Sequence, residues 1–171
     1  NHIEEMLNPK HAYLYIDVGG GSTELTLYHN HKVIAAKSFN IGTVRMLLNK
    51  VEKDEWENMK EWIKKETLGV RPLHAIGSGG NINKIFKMWK KDNKNLSYNK
   101  LKGIHEMLNS YTYEERIEVL GLKPDRADVI VHASKIFITI MKTADIEDIF
   151  VPQIGLSDGI VHELYDRARG K

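Results

Sequence analysis

The stretch from Tyr13 to Glu24, Tyr-Leu-Tyr-Ile-Asp-Val-Gly-Gly-Gly-Ser-Thr-Glu, constrains the fold of this chain more than any other. Its apolar run is too short for a core helix and rich in aromatic and branched side chains, so it reads as a buried strand. Leu25-Thr-Leu-Tyr28 then alternates as a second strand, which makes the glycines the tip of a hairpin. Gly19, Gly20 and Gly21 lack a Cβ, so the backbone there can turn tightly and bring its N–H groups close to an anion. Ser22 and Thr23 add hydroxyl donors. Asp17 and Glu24 flank the turn as hard oxygen ligands, as a magnesium ion held with phosphates would require. The stretch therefore reads as a phosphate loop built on a hairpin.

Two common phosphate loops are excluded. A Walker A loop ends in Gly-Lys-Ser/Thr, and no Lys follows these glycines. A dinucleotide fingerprint opens a helix at its glycines, where this chain resumes a strand.

The rest of the chain sets the frame. A length of 171 residues is enough for one domain with a proper core, and 42% apolar with 28% charged residues describes a soluble globular chain. A net charge of +2 gives no reason to expect nucleic acid as a partner. There is no cysteine, which excludes disulfides and thiolate metal sites and fits a reducing, cytoplasmic compartment. No apolar run has the length of a membrane span, and no signal peptide is read before Tyr13. The chain begins at Asn1 rather than Met and is read as cut from something longer, with residues 1–12 as a linker or the end of a preceding lobe.

In order, His29-Asn-His31 is a turn and Val33–Phe39 a third strand, so three antiparallel strands open the domain. A helix follows, with Asp54 as its cap, Glu57 completing a capping box, Trp56, Met59 and Ile63 on its apolar face, and Gly69 as its stop. Leu73–Ile76 is a fourth strand running into a second glycine turn, Gly77-Ser-Gly-Gly-Asn81. This turn leads into a helix marked by Ile82, Ile85, Phe86 and Trp89, and amides at a helix start attract anions. Lys84, Lys87 and Lys91 share one face of that helix. Such a row is most often a solvated surface, and it is also a candidate polyphosphate track.

Residues 97–109 and 112–120 read as helices, the second with a Thr112–Glu115 capping box, and 124–142 as a long buried helix. Ile149–Val151 is a fifth and last strand, and Gly155 opens a final helix with Leu156, Ile160, Val161 and Leu164. The histidines, including His74, His105 and His132, fall at no metal-ligand spacing and read as surface or core residues.

The order of these elements resembles a ribonuclease H-like lobe of the actin, Hsp70 and sugar-kinase superfamily. The motifs resemble one branch of it, the exopolyphosphatase and guanosine pentaphosphate phosphohydrolase family. Ile16–Glu24, Ile41-Gly-Thr-Val-Arg45, Ala75–Asn81, Arg126-Ala-Asp-Val-Ile130 and Gly155-Leu-Ser-Asp-Gly159 carry the match. The resemblance implies an α/β lobe with a mixed five-stranded sheet, three antiparallel strands first and helices on both faces. It implies that residues 13–171 are the second lobe of a two-lobed enzyme, whose missing first lobe supplies a catalytic Glu. Gly80-Asn81 stands where Gly-Thr is more usual, and Leu47-Leu48 where Thr-Glu often follows the Arg.

By the same resemblance, Asp17 and Glu24 are the expected catalytic pair, orienting magnesium or the attacking water. Gly19, Gly20, Gly21, Ser22 and Thr23 hold the terminal phosphates of inorganic polyphosphate or guanosine pentaphosphate. Gly77, Ser78, Gly79, Gly80 and Asn81 hold phosphates from the other side, Arg45 neutralises charge, and Gly155 and Gly159 allow close packing near the cleft. The chain alone is expected to be inactive, with a homodimer compatible with the reading. A non-catalytic nucleotide- or polyphosphate-binding sensor is the alternative. A kinase-like or chaperone-like member has less support, since nothing indicates a sugar or acyl site.

Overall fold

A computed structural model describes residues 8–89 and 95–152. The strands are β1 (Ala12–Val18), β2 (Thr23–His29), β3 (Lys32–Phe39), β4 (Leu73–Ser78), β5 (Asn95–Ser97) and β6 (Asp148–Phe150). The helices are α1 (Thr43–Leu47), α2 (Lys53–Thr67), α3 (Gly80–Trp89), α4 (Tyr98–Ser110), α5 (Tyr113–Glu118), α6 (Pro124–Ala127) and α7 (Ile130–Ala144). The sheet runs β3-β2-β1-β4-β6-β5. Pairings β1–β2, β2–β3 and β5–β6 are antiparallel, whereas β1–β4 and β4–β6 are parallel.

The three opening strands form as their alternation requires. Asn30 and His31 both take positive φ, 54° and 62°, the conformation a tight hairpin turn needs. Alternation sends Leu14, Ile16, Leu25 and Leu27 to one face, where they join the main core with α2, α3, α4 and α7. The opposite face carries a smaller cluster of Tyr13, Tyr15, Tyr28 and Ile76. All the described helices pack on the first face, and the final helix expected from Gly155 lies outside the described residues.

Several local expectations need correction. The sheet has six strands rather than five, because Asn95–Ser97 pairs antiparallel with β6. Three residues with one buried side chain, Leu96, are too few to show a period. α2 begins at Lys53 with Glu52 as its cap and no side-chain cap bond, so the Asp54–Glu57 box does not form. Glu55 instead accepts the Asn40 amide at 2.6 Å. The apolar stretch 124–142 divides into α6 and α7 around Asp128–Val129. Other signals held: Thr112 and Glu115 form their box, and Gly69 and Gly121 end α2 and the α5 segment at φ 72° and 70°.

Candidate functional site

Asp17 and Ser78 are register partners in the parallel β1–β4 pair, so the two glycine turns leave neighbouring strands at the same edge. In open α/β sheets, that carboxyl edge is where ligands bind. Asp17 is also directly opposite Glu24 across the β1–β2 hairpin. Side chains of directly paired residues share a face, so Glu24, Asp17 and Ser78 form a row on the face opposite the helices. Asp17 and Glu24 are exposed, while Ser78 is buried.

The first loop is shaped by the segment after β3. The amides of Thr43, Val44 and Arg45, at the start of α1, donate to the carbonyls of Gly19 and Gly20 at 3.0, 3.0 and 3.2 Å. Arg45 Nε donates to the Gly21 carbonyl at 2.5 Å. Three successive loop carbonyls are thus drawn toward α1. In a trans peptide the C=O and the next N–H point opposite ways, so the amides of Gly20, Gly21 and Ser22 face away from α1. Three adjacent outward N–H groups are the kind of concavity that holds an anion. Gly42 permits this contact: a Cβ there would stand 2.2 Å from the Gly20 carbonyl oxygen. Thr23 also braces the loop, because its buried hydroxyl donates to the Ile41 carbonyl at 2.6 Å. That hydroxyl, expected on a phosphate, faces the interior.

The second loop divides likewise. Gly77 and Ser78 belong to β4, and Gly77 serves packing: a Cβ there would meet Ile149 Cδ1 at 2.7 Å and Phe137 Cε1 at 3.0 Å. Gly79 turns the chain at φ 118°, beside the Val18 carbonyl. Its own carbonyl accepts from the Asn83 amide at 3.1 Å and from Asn83 Nδ2 at 2.8 Å. α3 then starts at Gly80 beside the first loop. Lys84 is half-buried and Lys87 exposed on α3, while Lys91, Gly155 and Gly159 lie outside the described residues.

Arg126 is the site residue that sequence reasoning missed. Its guanidinium lies over Gly80, where a Cβ would meet its nitrogens at 2.5 and 2.9 Å, and it donates to Asn81 Oδ1 at 2.9 Å. It delivers a permanent positive charge to the first turn of α3. No local signal finds such a contact, because the partners are 45 residues apart.

A six-stranded sheet with this order and two glycine turns at the carboxyl edge of its central strands defines a ribonuclease H-like lobe of the actin-like superfamily. The profile of the Ppx/GppA phosphatase family matches residues 3–168, and the chain belongs to that family. It is 23% identical to a guanosine-5'-triphosphate,3'-diphosphate pyrophosphatase of Photobacterium profundum over 171 residues, covering 91% of this chain and 34% of that protein. It is 31% identical over 142 residues to a bifunctional 3-dehydroquinate synthase/phosphatase of Fusobacterium nucleatum, covering 71% of this chain and 21% of that protein. Among solved structures, an Aquifex aeolicus Ppx/GppA phosphatase superposes with TM-score 0.67 at 25% identity, covering 93% of this chain and 59% of that one. An exopolyphosphatase of Cytophaga hutchinsonii shares the fold, with TM-score 0.66 at 22% identity, covering 94% of this chain and 58% of that one. The chain spans about a third of the length of the curated pyrophosphatases it matches. No described helix is long and apolar enough to cross a membrane.

Proposed function

We propose that this chain is the phosphate-binding second lobe of a cytoplasmic, two-lobed phosphohydrolase. Its reaction is attack of water on the terminal phosphoryl group of inorganic polyphosphate or guanosine pentaphosphate. The observation that supports this best is the saturation of the Gly19, Gly20 and Gly21 carbonyls by α1 and Arg45, which leaves the next three amides turned outward. Phosphoryl transfer asks for positioning and charge neutralisation rather than covalent chemistry, and a fixed row of amides gives both.

The amides of Gly20, Gly21 and Ser22, with the Ser22 hydroxyl, hold the terminal phosphate. The amides that open α3 hold the next one, with Arg126 balancing charge, while Arg45 holds the Gly21 carbonyl on the other side of the loop. Asp17 and Glu24 suit magnesium, since directly opposed residues bring their Cβ atoms within roughly 4.5–5.5 Å and offer hard carboxylate oxygens. When bound, the ion would neutralise phosphate charge. Asp17 and Glu24 also orient the attacking water. The general base comes from the first lobe, so the isolated chain binds without turning over.

Titration of the chain with tripolyphosphate, with and without magnesium, tests the reading. Magnesium-dependent binding that Asp17→Asn abolishes is the expected result, with no phosphate release by the chain alone. Absence of binding, or turnover by the chain alone at rates ordinary for a two-lobed enzyme, overturns it.

A further inference from the structure

A cavity of about 320 Å³ opens among α1, α2, α4 and α7, away from both glycine loops. Its apolar and aromatic lining is Met46, Val51, Trp56 and Val131. Its polar lining is His105, His132 and Lys135, with the amide side chains of Asn49 and Asn109. Among the described residues, none that lines it is acidic. Its size falls at the lower end of small-molecule pockets. That suits one compact ligand rather than a polymer.

The chemistry of the lining selects the ligand. An indole offers a flat stacking surface, and the neighbouring aliphatic side chains extend it. The exposed Lys135 supplies a cation, and imidazole and amide groups supply donors and acceptors. The orientation of His105 is fixed: Ser134 donates its single hydroxyl proton to the Val131 carbonyl at 2.7 Å, so His105 Nδ1, 2.7 Å away, carries the donor hydrogen. Nε2 is then the acceptor that remains. A ligand with a planar heterocycle and an anionic group satisfies both the apolar and the polar lining.

We propose that this cavity is a mononucleotide site, with the base against Trp56 and the phosphate toward Lys135 and His132. It reaches the phosphate loop through α1. Met46, in α1, and Asn49, just beyond its end, line the cavity. The Thr43, Val44 and Arg45 amides of the same five-residue helix hold the Gly19 and Gly20 carbonyls. A ligand seated against Met46 and Asn49 therefore tightens α1 on the first loop, and by linkage a phosphate held at that loop favours the ligand equally. This coupling rests on the function proposed above. Binding in the cavity does not.

Calorimetric titration of the chain with AMP, with adenosine and inorganic phosphate as separate arms, tests the site. AMP is expected to bind at least ten times more tightly than either fragment. Lys135→Glu and His132→Gln, both at the cavity mouth, should each weaken AMP at least fivefold, while Asp17→Asn leaves it unchanged. No AMP binding, or binding lost in Asp17→Asn and kept in Lys135→Glu, overturns the cavity as a nucleotide site. Hydrogen exchange then tests the relay: bound AMP should slow exchange at the amides of Thr43–Arg45. Unchanged exchange there, with AMP bound, overturns the coupling. Neither outcome depends on turnover, so a failed tripolyphosphate titration is separately readable.

Discussion

Gly42 lies against Gly20 so closely that a Cβ on Gly42 would stand 2.2 Å from the Gly20 carbonyl oxygen and 2.7 Å from the Gly21 carbonyl carbon. The φ of Gly42, −148°, is one any residue adopts, so only this contact requires a glycine. The second element of the site is thus a backbone-to-backbone contact between loops far apart in the chain. It sets the direction of the first loop's amides.

Gly42→Ala should therefore cost about 1–3 kcal/mol of stability, as overpacking does, and should also abolish tripolyphosphate binding. Gly21→Ala is the comparison, since nothing lies within 4 Å of a Cβ there. Its denaturation midpoint should match wild type. Chemical denaturation of both variants decides this, and an unaffected Gly42→Ala would show that the loop shifts freely.

Arg126→Ala removes the guanidinium from above Gly80 and leaves Asn81 Oδ1 without that donor. A loss of tripolyphosphate affinity of about tenfold or more is expected, the scale of one charge-assisted hydrogen bond. Arg126→Lys should restore charge but not the planar cover, and so recover only part of the affinity. Equal affinity in all three proteins would reduce Arg126 to a packing residue.

In the two-lobed protein proposed above, Asp17→Asn and Glu24→Gln should each lower turnover strongly while barely moving the melting temperature. Both side chains are exposed at the sheet edge, so neither supports the core. Full activity in either variant would remove that residue from the reaction.

Lys84, Lys87 and Lys91 remain a candidate track for a long polyanion. Replacing all three by Gln in the proposed two-lobed protein should weaken long polyphosphate and flatten its salt dependence, by analogy with counterion release from nucleic acid. Short substrates should respond little. Equal salt slopes would make the row an ordinary solvated helix face.

Burial holds His105 and His132 below the usual histidine value of 6.5. Lys135 lowers His105 further while a hydrogen bond to the Val131 backbone and Glu106 oppose it, and Arg116, Lys135 and His105 lower His132. The unfolded chain takes up these protons first, so stability is full above about pH 6.5 and is lost as pH falls below it. His74, lowered by burial and by His11 against the opposing Asp148, acts in the same direction. Urea midpoints at pH 7.5 and 5.5 should show this fall, and a His105→Gln, His132→Gln double variant should flatten it. An equal fall in the double variant would assign the pH dependence to other groups.

By itself the sequence determined the elements whose signals are local. The alternation of β1, β2 and β3, the glycine turns and the Thr112–Glu115 box each depend on neighbours within a few residues, and each formed. Asp17 and Glu24 were legible as a pair because a hairpin fixes its own register. Tertiary structure decided what distant segments do to one another. It made β5 a strand by pairing it with β6, turned the Thr23 hydroxyl inward to Ile41, gave Gly77 to packing against Phe137 and Ile149, and laid Arg126 on Gly80. Gly42 looks like any other glycine in the chain until Gly20 arrives beside it. Residue spacing encodes contacts along a helix or a hairpin, whereas a contact between separate loops exists only once the sheet has brought them together.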